Sequence, residues 1–298
     1  MTEAEVLSLF ERCSNAGRFG ADDERGTLNY ITAEKTLQAL ALVEHGACVS
    51  IGRDLAVRGS RETPPSAMHV LTYAGREPTS TQDILVLKPH GYEMTHLDAL
   101  AHSVFRGRLY NGRRAEEEIS AEEGVRFGSI VASRNGIVTR GVLLDAAAAR
   151  GVPFLGLKEG ISPRDLEAAE ELAGVRVGSG DAIFVRAGSA LRERAEGPSD
   201  GADRVGILPE VIPWLHDREV AMYSGDVGER EPSGYPLVPM PLHLVGLVAM
   251  GLTILDLPDL EALTEACRRY GRSEFLVVIA PLRIPGASCS PVNPIALF

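Results

Sequence analysis

The spacing of apolar residues along the chain predicts helices and strands in alternation. Apolar residues at Val6, Leu7, Leu9 and Phe10 recur at helical intervals and predict a helix over residues 2–13. A second helix is predicted over residues 32–44. Its candidate N-cap is Thr32, but a lysine stands at residue 35, where a complete capping box has Glu or Gln. Further helices are predicted at residues 144–150, 163–173, 209–215, 242–250 and 257–270.

Short apolar runs predict the strands, at residues 84–87, 129–133, 181–186, 219–223 and 275–280. The run at 84–87, Ile-Leu-Val-Leu, is continuous, which is typical of a buried strand. Because strands and helices interleave, the pattern favours an α/β architecture over an all-β one.

Two stretches lack periodicity. Residues 57–80 are rich in Pro, Gly and Ser and predict a long irregular segment of the kind that often covers an active site. Residues 188–202 predict a loop that is not an obvious linker, and no internal repeat is visible. The sequence is therefore interpreted as one domain spanning residues 1–298.

Charge and composition argue against nucleic acids and membranes as partners, which leaves a small-molecule substrate. The net charge of −11 argues against nucleic acid and against anionic membranes, and only 5% of residues are aromatic. The longest apolar stretch, residues 241–255, is shorter than the ~20 residues of a membrane span. Four scattered cysteines without a C-x-x-C pair indicate reduced thiols, and the N-terminus lacks signal-peptide features. These features predict a cytoplasmic protein.

Several common catalytic motifs are missing from the sequence. It contains no G-x-x-x-x-G-K-[ST], no G-x-G-x-x-G after a strand, no G-x-S-x-G and no H-E-x-x-H. The usual sequence grounds for an NTPase, a dinucleotide enzyme, a serine hydrolase or a zincin are therefore absent.

One short segment concentrates groups that bind metals or move protons: His90, Glu93, His96, Asp98 and His102. Histidine together with carboxylate suits Zn²⁺, Mn²⁺ or Fe²⁺. In an extended backbone, residues two apart point to the same side, which would bring the side chains of His96 and Asp98 together. Their spacing alone is compatible with two interpretations, a metal site or a set of structural hydrogen bonds at a strand end.

The stretch Thr95 to His102, T-H-L-D-A-L-A-H, resembles the H-x-G-T-H-x-D-x-P-x-H signature of the cyclase family. That family includes bacterial kynurenine formamidase and isatin hydrolase. Weaker matches follow in order along nearly the whole chain, at residues 17–29, 140–145, 180–188, 240–243, 251–256 and 290–296. The resemblance implies a single α/β domain with a swivelling β/β/α fold, Zn²⁺ or Mn²⁺ as cofactor, and assembly as dimers or tetramers.

The resemblance also implies roles for individual residues. His96 and Asp98 match metal ligands, and His102 matches the histidine that moves protons. His243 and Asp256 fall near the distal histidine and acidic residue that complete the site. Asp226, in Ser-Gly-Asp, resembles a position near the active site.

The sequence departs from the family signature at several positions. Tyr92 stands where the family has its first histidine, and His90, two residues earlier, reaches the site only if the backbone is rearranged. Met94 replaces a glycine, Leu100 a proline, and Asp256 the usual glutamate. Whether the site takes two metal ions, one or none is open.

Four residues are candidates for contact with substrate. Tyr92 is a phenolic ligand, a hydrogen-bond donor to substrate or a packing residue. Glu93 and Asp226 are the acidic candidates. His69 either lines the pocket or lies on the surface.

The resulting hypothesis is a metal-dependent hydrolase that opens a small amide, lactam or formamide, with metal-activated water and His102 as general acid and base. The alternatives are a cyclase or dehydratase-type enzyme of natural-product metabolism, and a metal-free binding protein. Up to about one divalent ion per chain is expected. The apolar residues 295–298 predict a homodimer or homotetramer, because they are too apolar to be left in water.

Overall fold

The computed structural model describes residues 1–55, 57, 66–73, 79–198 and 203–298. The helices within these residues are α1 (Glu3–Arg12), α2 (Ala33–Leu40), α3 (Ala115–Glu118), α4 (Ala146–Ala149), α5 (Pro163–Ala173), α6 (Ser189–Glu196), α7 (Val211–Asp217), α8 (Pro241–Val245) and α9 (Glu261–Tyr270). Short 3₁₀ turns and one π-helical turn, Gly246–Met250, complete the helical structure.

The strands are β1 (Cys48–Ser50), β2 (Ala67–Tyr73), β3 (Thr81–Leu87), β4 (His96–Asp98), β5 (Ile119–Ser120), β6 (Gly124–Val125), β7 (Ile137–Asp145), β8 (Gly160–Ile161), β9 (Ala182–Arg186), β10 (Gly206–Ile207), β11 (Met222–Gly225), β12 (Thr253–Asp256), β13 (Glu274–Ile279), β14 (Cys289–Pro291) and β15 (Ile295–Leu297). Nine of them form one sheet in the order β1-β15-β13-β7-β9-β11-β12-β4-β14. Strands β7, β9, β11 and β12 run parallel, and the remaining pairs are antiparallel. The predicted α/β class is confirmed.

Both faces of the large sheet are buried, as the alternation along β7 illustrates. Val142 and Leu144 lie in one core cluster, together with apolar residues of α5 and α7. Leu143, between them, points to the opposite cluster, which includes apolar residues of α9. The sheet is thus the middle layer between two sets of helices, and its strand ends are held rigidly.

The helix boundaries follow local capping. Helix α1 is capped by Thr2, which forms a full capping box with Glu5. Helix α2 is capped as predicted by Thr32, whose side chain accepts a hydrogen bond from the Lys35 N–H, but it ends at Leu40, before the predicted boundary. The prediction for α5 is confirmed at both ends. The predicted helix 242–250 is divided between α8 and the π-helical turn.

Two predictions about residues 57–87 are wrong. The described part of the supposed irregular segment contains strand β2, which pairs with β3 as an antiparallel hairpin. Strand β3, expected to be buried, is exposed along almost its whole length, because the hairpin stands outside the large sheet. Prolines 64, 65 and 78 of that segment lie outside the described residues.

Three further predictions fail for local reasons. Residues 130–133 form a 3₁₀ turn and not a strand. The region predicted as a loop at 188–202 contains helix α6, while residues 199–202 lie outside the described part. Strand β7 is not predicted from the sequence, and the helix predicted at residues 144–150 overlaps its end. Within that range only α4, which lies in the alanine-rich run after β7, is helical.

The premise that residues 295–298 need a partner subunit to cover them is also wrong. Strand β15 pairs with β1 and β13 inside the large sheet, and Phe298 is fully buried in the core. Ala296 and Phe298 are therefore covered by the chain itself, and Ile295 and Leu297 are partly covered. Among the described residues, no helix has the length and apolar character needed to cross a lipid bilayer.

The start of α5 provides a test of stability against pH. Asp165 accepts hydrogen bonds from Arg150 and from the backbone and hydroxyl of Ser162, all at 2.7 Å. Burial opposes its ionisation, but these donors lower the pKa of Asp165 to about 2. A depressed carboxyl pKa stabilises the fold above the ordinary value near 3.8, and this stabilisation disappears as the pH falls toward 2.

We therefore expect Asp165→Asn to lower the free energy of unfolding by roughly 2 kcal/mol at pH 7 and by about half of that at pH 3. Urea denaturation of both proteins at the two pH values measures this. The control is Asp22→Asn, which removes a carboxylate that is 94% exposed and paired with Arg113; it should change stability little. An equal loss for Asp165→Asn at both pH values would mean that charge is not the cause.

Candidate metal centre

The predicted chemistry-bearing segment forms a strand inside the large sheet. Strand β4 pairs with β12, so that His96 lies opposite Asp256, and with β14, so that Asp98 lies opposite Cys289. The hydroxyl of Thr95, just before β4, donates to the Leu257 carbonyl at 2.8 Å. The start of β4 is therefore fixed to the end of β12, and carboxylates from two strands meet.

Asp98 is the centre of this arrangement. Its carboxylate is fully buried, yet neither oxygen has a hydrogen-bond partner among the described residues. Four histidine nitrogens surround it: His90 Nδ1 at 3.3 Å, His96 Nε2 at 3.5 Å, His243 Nε2 at 3.6 Å and His102 Nε2 at 3.8 Å. A buried carboxylate without hydrogen bonds is costly, so these groups fit a bound cation.

Hydrogen bonds on the far side of two rings fix which nitrogen faces Asp98. His96 Nδ1 donates to the Met94 carbonyl at 2.8 Å, and His243 Nδ1 donates to Glu229 Oε2 at 2.7 Å. Each bond leaves Nε2 directed to the cluster, as in metal sites where a carboxylate or carbonyl orients a ligating histidine.

The donor atoms form two overlapping groups. One group is His90, Asp98 and His102, and the other is His96, Asp98 and Asp256; within each, the ligand atoms lie within 4.8 Å of one another. Asp98 belongs to both. In addition, His243 Nε2 lies 3.1 Å from Asp256 Oδ2, while Asp256 Oδ1 is buried without a partner among the described residues. The cluster thus offers mixed imidazole and carboxylate donors.

The buried charges on the His243 side compensate one another. Burial opposes the charged form of His243, but Glu229 and Asp256 raise its pKa well above the ordinary value. Burial likewise opposes ionisation of Asp256, but His243 lowers the pKa of this carboxyl. The two groups therefore stabilise each other as ions in the metal-free protein.

The pKa values of His90 and His102 are shifted in opposite directions. Burial opposes protonation of His90, but contacts with Asp98 and Cys289 raise its pKa to about 9. For His102, burial dominates over the attraction of Asp98 and lowers the pKa. The two rings stack with centroids 3.9 Å apart. A neutral His102 next to a basic His90 suits a group that accepts a proton near pH 7.

A turn of the backbone brings His90 into the cluster, although Tyr92 stands where the family signature has its first histidine. Gly91 adopts a φ of 137°, a conformation that favours glycine, and the chain turns there so that His90 enters the cluster. Tyr92 points away, is about half exposed, and donates from its hydroxyl to Glu231 Oε1 at 2.5 Å. The Arg204 guanidinium lies 3.4 Å above the centre of its ring.

The remaining candidates lie outside the ring of histidines. Glu93 is half-buried and forms no ion pair within the described part of the chain. His69 lies on the exposed strand β2, where Nε2 is 2.5 Å from Asp83 Oδ1. Asp226 is buried and accepts hydrogen bonds from the N–H groups of residues 187, 188 and 189. Its carboxylate is fully used in shaping the turn before α6.

Two residues near the cluster were not predicted from the sequence. Glu229, which orients His243, follows Asp226 by three residues in the same loop, and proximity to that acidic position was the only available signal. Cys289 lies far from the cluster in sequence, but the pairing of β14 with β4 brings it to His90 and Asp98. Only the sheet register reveals this contact.

Comparison with known proteins supports the family resemblance. The Cyclase family model matches residues 40–229. A crystal structure of a novel cyclase superposes with a TM-score of 0.85 at 28% identity, covering 96% of this chain and 99% of that one. No curated protein is significantly similar in sequence.

More distant structures share the fold. Isatin hydrolase A from Ralstonia solanacearum has a TM-score of 0.56 at 20% identity, covering 89% of this chain and 97% of its own. A predicted metal-dependent hydrolase from Bacillus stearothermophilus has a TM-score of 0.51 at 14% identity, covering 84% and 97%. These likenesses confirm the predicted fold type. Because the family model spans more than half of the sequence, this chain belongs to the cyclase family.

Proposed function

We propose that this protein is a metal-dependent hydrolase that opens a small amide, lactam or formamide. The observation that carries the proposal is Asp98, a fully buried carboxylate whose two oxygens have no hydrogen-bond partner among the described residues and face four histidines. The names of the distant structural neighbours, an isatin hydrolase and a predicted metal-dependent hydrolase, support the same reaction class.

The donor set fits one divalent ion. His96, Asp98, Asp256 and His243 offer two imidazoles and two carboxylates, and His90 approaches the same oxygen of Asp98 as His96. Such mixed donors suit Zn²⁺ or Mn²⁺. When bound, the ion polarises a substrate carbonyl and lowers the pKa of water from ~16 toward ~7.

His102 is the group proposed to move protons. It follows Asp98 by four residues, in the 3₁₀ turn Leu100–His102, and its side chain is 25% exposed, so that it borders solvent. Because burial lowers its pKa, the ring is more fully neutral at pH 7 than an ordinary histidine. His102 accepts a proton from the attacking water and returns it to the leaving nitrogen.

We expect His102→Ala to reduce turnover by roughly 10²–10⁴-fold while metal content and melting temperature stay near those of the wild type. The assay is hydrolysis of a panel of lactams and formamides, with the ring-opened or deformylated product identified by mass spectrometry. His69→Ala, on the exposed strand β2, serves as the control. Near-normal turnover of His102→Ala would show that another group is the base, with Glu93 the first to test.

A cytoplasmic location is proposed on the state of the thiols. All four cysteines are free, and three of them are buried, which fits a reducing compartment.

A further inference from the structure

Gly228 lies next to the metal centre, in the loop between β11 and α8. Its carbonyl accepts a hydrogen bond from the Ile207 N–H at 2.9 Å, which anchors the loop to β10. The next residue, Glu229, holds His243 Nδ1 at 2.7 Å. These two contacts fix the position of Gly228 relative to the ring of His243.

A side chain at position 228 would point at the metal centre. A β-carbon built on Gly228 would lie 3.8 Å from His243 Cε1, and apart from its chain neighbours no other described atom lies within 4 Å of it. Cε1 is bonded to Nε2, the ring nitrogen that lies 3.6 Å from Asp98 Oδ2. Because glycine has no β-carbon, space is left beside the ring of His243, next to the candidate ligand atoms.

Neither the backbone conformation nor the packing requires a glycine at this position. The φ of Gly228 lies outside the left-handed region that favours glycine, and the added β-carbon would make only an ordinary van der Waals contact. Packing does require the nearby Gly206 and Gly225, since β-carbons there would collide with backbone atoms of Glu229 and Val227 respectively. What distinguishes Gly228 is therefore the space that it leaves beside the metal centre.

The chemistry of the proposed reaction indicates what occupies this space. The carbonyl carbon of the substrate carries hydrogen in a formamide and a carbon substituent in other amides and in lactams, and only the carbon substituent needs room beside the ligand atoms. The ring centroid of His102 lies 6.1 Å from that of His243, so a carbonyl group beside His243 is close to the proposed proton carrier.

We propose that Gly228 lines the subsite for the acyl substituent of the substrate. The substrate is then an amide or lactam with a carbon substituent on its carbonyl carbon, and not a formamide. This inference rests on the proposed function, which it narrows to one class of substrate.

Hydroxamates test this subsite without turnover. Formohydroxamate and benzohydroxamate bind divalent metal ions through the same two oxygens, but the carbonyl carbon carries hydrogen in the first and a phenyl ring in the second. Gly228→Val fills the proposed subsite. Calorimetric titration of the full-length, Zn²⁺-loaded proteins measures the dissociation constant of each hydroxamate.

Gly178→Val is the matched control. Gly178 is also partly buried, its φ also lies outside the left-handed region, and no described atom lies within 4 Å of its β-carbon position. It precedes the start of β9, whereas Asp256 lies at the end of the parallel strand β12, so the two positions are at opposite edges of the sheet.

We expect Gly228→Val to weaken benzohydroxamate binding by about tenfold or more and formohydroxamate binding by less than about threefold, because one methylene group in a pocket changes discrimination by about 10–200-fold. Gly178→Val should bind both hydroxamates as the wild type does. Zinc content and melting temperature check that the variants fold. Gly228→Ala, which adds a single carbon, should give a smaller loss in the same direction.

Three results would overturn the inference and leave the metal centre standing. They are a wild type that binds formohydroxamate but not benzohydroxamate, an equal loss of both hydroxamates in Gly228→Val, and no loss of either. A wild type that holds no Zn²⁺ and binds neither hydroxamate would contradict the proposed function, and this inference with it.

Discussion

Asp98→Asn is expected to lower metal affinity by more than about 100-fold, and turnover with it. Replacing residues that merely orient ligands typically costs 10–100-fold in affinity, so the loss of a direct ligand should exceed that range. The amide has nearly the shape of the carboxylate but carries no negative charge, and Asp98 belongs to both groups of donors. Titration of the metal-depleted protein with Zn²⁺ and with Mn²⁺, followed by calorimetry, measures the change.

Asp256→Asn provides the graded comparison. Asp256 belongs to only one of the two groups of donors, and its Oδ2 already contacts His243 Nε2. Its replacement should therefore weaken metal binding less than the replacement of Asp98. Wild-type affinity in Asp98→Asn would place the ion elsewhere and remove the main argument for this centre.

Arg186→Met is expected to reduce the free energy of unfolding by about 3–5 kcal/mol, as does removal of one partner from a buried ion pair. The Arg186 side chain is 3% exposed and donates to Asp145 and Glu261 at 3.0–3.1 Å. It thereby joins the ends of β7 and β9 to the first turn of α9. Without it, two carboxylates face each other with no counter-charge. Urea denaturation at pH 7 measures the loss.

A variant in which both carboxylate partners of Arg186 are also neutralised separates the effect of the unpaired charges from the effect of lost packing. In the triple variant Arg186→Met, Asp145→Asn, Glu261→Gln, most of the lost stability should return, since no unpaired charge is left. Asparagine still caps α4 at position 145. Arg114→Met, at a side chain that is 53% exposed and pairs with exposed glutamates, should change stability little. A triple variant as unstable as the single one would attribute the loss to packing.

The sequence predicts those parts of the fold whose signals are local. Helix α5 carries Ser162, Pro163 and Asp165 at its start and Gly174 at its end, and its boundaries are predicted correctly. Strand β3 has the composition of a buried strand but lies in an exposed hairpin. Composition records which residues tolerate burial, whereas burial itself depends on what packs against the strand. The residues of a strand and its neighbours in sequence do not reveal which parts of the chain pack against it.

The candidate site likewise combines features that follow from local sequence with features that depend on the rest of the fold. His96 and Asp98 are two residues apart, so their convergence follows from an extended backbone. Asp256 reaches them only through the antiparallel register of β12 and β4, and the family resemblance was the sole indication in the sequence. The entry of His90 depends on the backbone conformation of Gly91, which spacing does not reveal.

Elemental analysis of the protein purified without added metal or chelator tests whether the cluster around Asp98 binds a catalytic metal ion. We expect close to one Zn²⁺ or Mn²⁺ per chain, loss of hydrolysis when a chelator removes the ion, and recovery when the ion is returned. Protein that contains no divalent metal and still hydrolyses its substrate at the full rate would contradict it.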